Sequence, residues 1–138
     1  MCYNKNMDAN NKPKIFIVDD DNFLLDMYAL KFSQSGFEVE TAPNAMIALE
    51  KLRGGLKTDV MLLDIIMPEM DGFQLLEQAG PAGLLKNILI VTLSNRGQQS
   101  DIEHGKKLGA HDYIVKATFT PTEVVTRVKS LLSAKKPV

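Results

Sequence analysis

The sequence has almost none of the features that would take it out of the ordinary soluble class. Its one cysteine, Cys2, lies in a polar N-terminal stretch, which excludes a disulfide framework and any CxxC zinc or redox motif. A reducing, cytoplasmic setting is therefore expected. Charge of neither sign dominates: 16 Lys+Arg face 17 Asp+Glu, a formal net charge of -1, with no basic stripe beyond Lys135-Lys136. That leaves no electrostatic footprint for nucleic acid or an anionic membrane. No apolar run approaches the ~18 residues of a membrane span. Met1 to Lys12 lacks the apolar centre of a secretion signal, and no internal repeat or low-complexity segment is visible.

What is present is a core of adequate size. The chain has 138 residues, 45% hydrophobic and 24% charged. A chain of this length buries roughly two-thirds of its unfolded surface in a single core without a metal or disulfide staple. Residues 1–12, rich in Asn and without periodicity, and the final AKKPV read as disordered arms. The domain is then 13–134, with 135–138 as a tail. So little follows the last helical segment that an output domain has no room within these residues.

Between the arms, short β-rich runs alternate with segments of helical period. The runs are IFIVD (15–19), FEVET (37–41), DVMLLD (59–64), NILIVT (87–92) and HDYIV (111–115). Five strands separated by helices imply a parallel α/β sheet. The first, third and fourth are nearly continuous apolar stretches, as inner strands covered on both faces require, so the second and fifth are the edges.

Leu24, Met27, Tyr28 and Phe32 form the apolar stripe of a first helix that stops at Gly36. Ala45 to Leu52, stopped by Gly54-Gly55, is a second, and about Asp71 to Gln78 a third. A fourth, about Gln98 to Leu108, has Ile102 as its main apolar contact and Gly105 inside it, which costs ~1 kcal/mol relative to Ala and makes it the most mobile. The fifth opens on a capping box, with Thr120 as N-cap, Pro121 next and Glu123 at the third position.

In an open parallel sheet, ligands collect beyond the carboxyl ends of the strands near the switch in strand order. Here the first strand ends in Asp19-Asp20-Asp21, the third in Asp64, the fourth in Thr92, and the fifth is followed by Lys116. Any one acid in such a place is more often a turn residue or a helix N-cap. Together, at four strand ends, they form a set of groups suited to a phosphoryl group and a metal. Clustered carboxylates repel unless a cation compensates them, and oxygen ligands with room for waters suit Mg²⁺ or Mn²⁺.

The motifs IFIVDDD (15–21), LLDIIMPEMDG (62–72), ILIVTLSN (88–95) and GAHDYIVKA (109–117) resemble, in order and spacing, the response-regulator receiver domains of two-component signalling, including stand-alone chemotaxis-type regulators. The resemblance covers about Lys14 to Leu132 and implies a flavodoxin-like three-layer α/β sandwich with strand order 2-1-3-4-5. It also implies roles. Asp64 is the phosphoacceptor, Asp20 a direct Mg²⁺ ligand, Asp19 a ligand through water, and Ile66 a ligand through its backbone carbonyl. Thr92 and Lys116 contact phosphoryl oxygens, and Tyr113 is the aromatic that turns inward when Thr92 moves. The donor would be a histidine kinase or a histidine phosphotransfer protein. The output surface, for a downstream protein or a second copy, would be the face of the fourth helix, fifth strand and fifth helix.

The chain departs from the family at three places. Receivers usually carry a cis-linked Pro after the lysine, whereas Ala117 stands here, so Lys116 must reach the acids through a strained cis bond or a rearranged trans loop. Leu93 replaces a usually small residue and is expected to narrow access. Ile66 offers no hydrogen bond to a hydrolytic water. Pro68 and Gly72 are expected to shape the loop, Gly72 by allowing a tight turn, and His104 and His111 to lie at the surface far from the acids. Two rivals from other classes are a Mg²⁺-dependent phosphohydrolase, which lacks a general acid at Ile66, and a phosphorylation-independent binding module. An FMN-binding role is disfavoured by the acidic first turn.

Overall fold

A computed structural model of the protein describes residues 12–95 and 97–135; the arm at 1–12 and the tail at 135–138 lie almost wholly outside them. Five strands, β1 (Lys14–Val18), β2 (Glu38–Ala42), β3 (Val60–Asp64), β4 (Leu89–Ser94) and β5 (Asp112–Val115), alternate with five helices. These are α1 (Asn22–Gln34), α2 (Ala45–Arg53), α3 (Gly72–Ala79), α4 (Gln99–Lys107) and α5 (Pro121–Lys135). All strand pairs are parallel, in the order β2-β1-β3-β4-β5, so the two polar runs are indeed the edges. The fold is the flavodoxin-like α/β sandwich that the sequence implies.

Alternation along the inner strands divides the core into two layers. Ile15, Ile17, Val60, Leu62, Leu89, Val91, Leu93 and Ile114 face α1 and α5, where Leu25, Tyr28, Phe32, Val124 and Val128 cover them. Phe16, Val18, Met61, Leu63, Ile88 and Ile90 face the other way, against Ala45, Ala48, Leu49, Leu75, Leu76 and Ala79 of α2 and α3. β3 is buried at every position, as a central strand covered on both faces requires.

Capping residues decide where the helices begin. Asp21 accepts from the Leu24 amide and caps α1, which makes the bland reading the right one for this member of the acidic run. Asp71 caps α3 in a capping box with Gln74, and Thr120 with Glu123 does the same for α5. In α4 the buried residue is Gly105, not Ile102, because a Cβ there would already touch Ala110 and the Phe73 ring at 3.6 Å.

Candidate functional site

β1 and β3 are neighbours in register, Val18 beside Leu63, so the next residues, Asp19 and Asp64, leave the sheet side by side at its switch point. By the same alternation both point toward the α1 and α5 layer. Asp19 and Asp64 are 1% and 4% exposed, while Asp20 is open to solvent. One carboxylate oxygen from each of the three lies within 4.8 Å of the others. Lys116 completes the group, its Nζ donating to Asp19 Oδ2 at 3.1 Å and lying 3.5 Å from Asp64 Oδ1.

The loop that aims Lys116 contains no cis bond; cis peptides are absent among the described residues. Lys116–Thr118 instead forms a single 3₁₀ turn, with the Thr118 hydroxyl donating to the Val115 carbonyl. The trans arrangement therefore delivers the ammonium despite Ala117.

Electrostatics sharpen the site. Burial, then repulsion from Asp19, pushes the Asp64 carboxyl up to about 7; Lys116 opposes this, and a hydrogen bond with Asp20 adds to it. Burial alone would lower the Lys116 ammonium, but Asp64 and Asp19 outweigh it, so the group is raised and stays charged. The set is two buried carboxyls and an exposed third, with one fixed cation. Three oxygen donors crowded in this way could hold a metal ion.

The loop from β3 to α3 is held against the site. Gly72 donates to the Ile65 carbonyl at 2.8 Å, and a Cβ on it would stand 2.6 Å from the Asp64 carbonyl oxygen. Close backbone approach, not a special φ, is what demands glycine here; the left-handed residue of this loop is Glu69, at φ 70°. Ile66 stands half-exposed at the rim.

Thr92 is not among the groups brought together. It lies between Val91 and Leu93, which face α1 and α5, so it points to the opposite layer, where its hydroxyl donates to the Asp112 carbonyl at 3.2 Å. β4 also runs on to Ser94, past the end expected at Thr92. Directly across the ladder from Thr92 is Tyr113, and the two share a cavity of about 200 Å³ with Ile102, Lys106, Ala110 and Asp112.

Leu93 is 1% exposed in the core, directly across the ladder from Asp64. His111 is more than a surface residue: its Nδ1 accepts from the Ile90 amide at 3.0 Å, fixing the start of β5 on β4. His104 rests on the Phe73 ring, 4.4 Å between centroids. Tyr28, placed by the sequence in the apolar stripe of the first helix, is buried in the core layer toward which Asp64 also points.

Comparison with known proteins bears on the whole of this arrangement. The family model for the response regulator receiver domain matches residues 15–129. The chain is 34% identical over 119 residues to a transcriptional regulatory protein CpxR homolog from Haemophilus influenzae, covering 86% of this chain and 50% of that protein. Its likeness to the alkaline phosphatase synthesis transcriptional regulatory protein PhoP of Bacillus subtilis is also 34% over 119 residues, with 48% of that protein covered. The chain thus spans about half the length of the curated relatives it matches. Among solved structures, Vibrio cholerae chemotaxis protein CheY4 superposes with a TM-score of 0.79 at 28% identity, covering 86% of this chain and 98% of that one. A CheY-like receiver domain protein from Methanospirillum hungatei gives 0.80 at 28%, covering 89% and 95%. With the motifs, the strand order and the acidic site all inside the matched span, this chain belongs to the response regulator receiver domain family.

Proposed function

We propose that this receiver domain accepts a phosphoryl group on Asp64 from a phosphohistidine of a histidine kinase or phosphotransfer protein. The observation that carries the reading is the buried Asp64 carboxyl, set among Asp19 and Asp20 and 3.5 Å from the Lys116 ammonium. An Asp64 oxygen attacks phosphorus, the bond from phosphorus to the donor imidazole nitrogen breaks, and the nitrogen keeps the electron pair. The product is an acyl phosphate on the chain. Such transfer needs positioning and cancellation of charge on the phosphoryl oxygens more than covalent chemistry from the protein.

Asp19, Asp20 and Asp64, with the Ile66 carbonyl, would hold Mg²⁺ or Mn²⁺, and the donor set fits such an ion. When bound, the ion supplies charge cancellation on the phosphoryl oxygens. Lys116, 3.5 Å from Asp64, would serve the same task. Thr92 would leave the Asp112 carbonyl to donate to a phosphoryl oxygen, and Tyr113 would turn into the cavity so vacated. That movement alters the face of α4, β5 and α5, the proposed surface for a downstream protein or a second copy. A cytoplasmic setting follows from the donor; among the described residues no helix is long and apolar enough to cross a membrane.

The rival of a phosphorylation-independent module drew on Ala117 and Leu93; against it stands Lys116, which reaches the acids despite Ala117. The test is intact-protein mass after incubation with acetyl phosphate and Mg²⁺. One phosphoryl adduct is expected, absent from Asp64→Asn and from a metal-free control. A folded, Mg²⁺-binding protein without an adduct, or an adduct that survives in Asp64→Asn, would contradict the reading.

A further inference from the structure

None of the three residues in the turn Lys116–Thr118 is buried, so packing does not fix its shape. The chain on either side of it is fixed. Val115, the last residue of β5, lies across the ladder from Ser94, and the loop from β4 to α4 comes so close that a Cβ on Gly97 would stand 3.0 Å from Val115 Cγ2. Beyond the turn, Phe119 packs against the core with the Arg127 guanidinium over its ring, and Thr120 caps α5. Between these anchors the backbone bond that ends the turn, from the Phe119 amide to the Lys116 carbonyl, is long at 3.4 Å. The Thr118 hydroxyl reaches back to the Val115 carbonyl at 3.1 Å and so ties the end of the turn to the fixed strand. Thr118 is exposed, so its methyl group adds little to the core and the hydroxyl is the part of the side chain that the turn uses.

What hangs from this turn is the ammonium that faces the acids. Lys116 Nζ stands 3.1 Å from Asp19 Oδ2 and 3.5 Å from Asp64 Oδ1. A lysine carries its charge at the tip of a flexible four-carbon stem, so the direction of the tip depends on how firmly the root is held. A group that cancels charge during transfer must lie within about 0.5 Å of its productive place. A turn free to open at Thr118 would move the root and let the ammonium swing away from the acids.

We propose that Thr118 is a positioning residue for the phosphoryl transfer, its hydroxyl closing the turn 116–118 on the Val115 carbonyl and so aiming the Lys116 ammonium at Asp64. The proposal rests on the reading of Asp64 as phosphoacceptor and Lys116 as its charge-cancelling partner.

Thr118→Val keeps the size and branching of the side chain and removes the hydroxyl, whereas Thr118→Ser keeps the hydroxyl and removes the methyl. Both changes are at an exposed position and should leave the fold intact, which urea unfolding of the metal-free variants checks. With acetyl phosphate at saturating Mg²⁺, adduct formation should slow about threefold in Thr118→Val, the worth of one modest hydrogen bond. Thr118→Ser should restore the native rate. Mg²⁺ affinity should stay within about twofold in both, because the carboxylates are untouched. In a Lys116→Ala background, which keeps the acceptor and its acidic neighbours, Thr118→Val should cause no further loss, since its action runs through the ammonium. An unchanged rate in Thr118→Val overturns the proposal. So does a Thr118→Ser protein as slow as Thr118→Val, a loss of Mg²⁺ affinity in step with the rate, or an undiminished loss on top of Lys116→Ala. No adduct on the native protein would instead bring down the phosphoacceptor reading itself, so the two failures are told apart.

Discussion

Asp64 meets two opposing demands. As the proposed nucleophile it must be ionised, yet this carboxyl is buried beside Asp19 and is pushed from an ordinary 3.8 up to about 7. Folding therefore tightens its hold on a proton. The stability that this supplies to the metal-free protein is fully present below about pH 4 and is lost as pH rises through about 7. Asp64→Asn carries no such penalty. It should be more stable than the native protein by on the order of 2 kcal/mol at pH 8 in the presence of a chelator. The gap should shrink toward pH 5. Urea unfolding at the two pH values checks this, and a gap that does not change with pH would refute it. At this scale the sequence was legible where chemistry is written in residue type: Asp19, Asp64 and Lys116 meet as their places at the strand ends imply. It was less legible for Asp21, which resembles its neighbours as an acid but serves as a helix cap.

The elements hold the site by how closely they approach it. α3 begins so near the end of β3 that Gly72 leaves no room for a Cβ, the nearest atom being the Asp64 carbonyl oxygen itself. Gly72→Ala should destabilise the protein by on the order of 2 kcal/mol, as overpacking against backbone does. It should also slow adduct formation, since the backbone of the proposed acceptor must shift. Unfolding and intact mass on the same variant check both, and native-like values would show that the loop gives way freely. β5 and α5 are tied in a different manner, by Arg127 Nε donating to Asp112 Oδ2 at 2.7 Å while its guanidinium lies over the Phe119 ring. Element order and type followed from alternation and capping residues, but strand ends did not. β4 runs two residues past Thr92, because Leu93 and Ser94 continue the ladder opposite Ile114 and Val115, a tertiary pairing that local pattern does not encode.

Across the whole molecule, edge and centre were readable from polarity alone: the strands with polar positions lie outside and the apolar ones inside. That order places the ends of β1 and β3 together at the switch point, and so the acids, before any family is considered. The direction of Thr92 was not readable, since a hydroxyl at a strand end can turn either toward the acids or toward β5, and only packing of the two layers decides. A metal site that draws carboxyls from two strands, as proposed, would also couple metal to fold. Mg²⁺ at a hundred times its dissociation constant should raise stability by about 2.7 kcal/mol, with a smaller rise at pH 5 than at pH 8 because the Asp64 proton competes. Thermal unfolding over a Mg²⁺ series checks this, and an equal rise in Asp64→Asn would place the ion elsewhere. The most direct test of the central claim is to map the modified residue. Protein treated with acetyl phosphate and Mg²⁺ is reduced with borohydride, which converts an aspartyl phosphate to homoserine, and is then digested and sequenced by mass spectrometry. Homoserine at position 64 alone is the predicted result; homoserine at Asp19 or Asp20, or at no position in a protein that binds Mg²⁺, would contradict it.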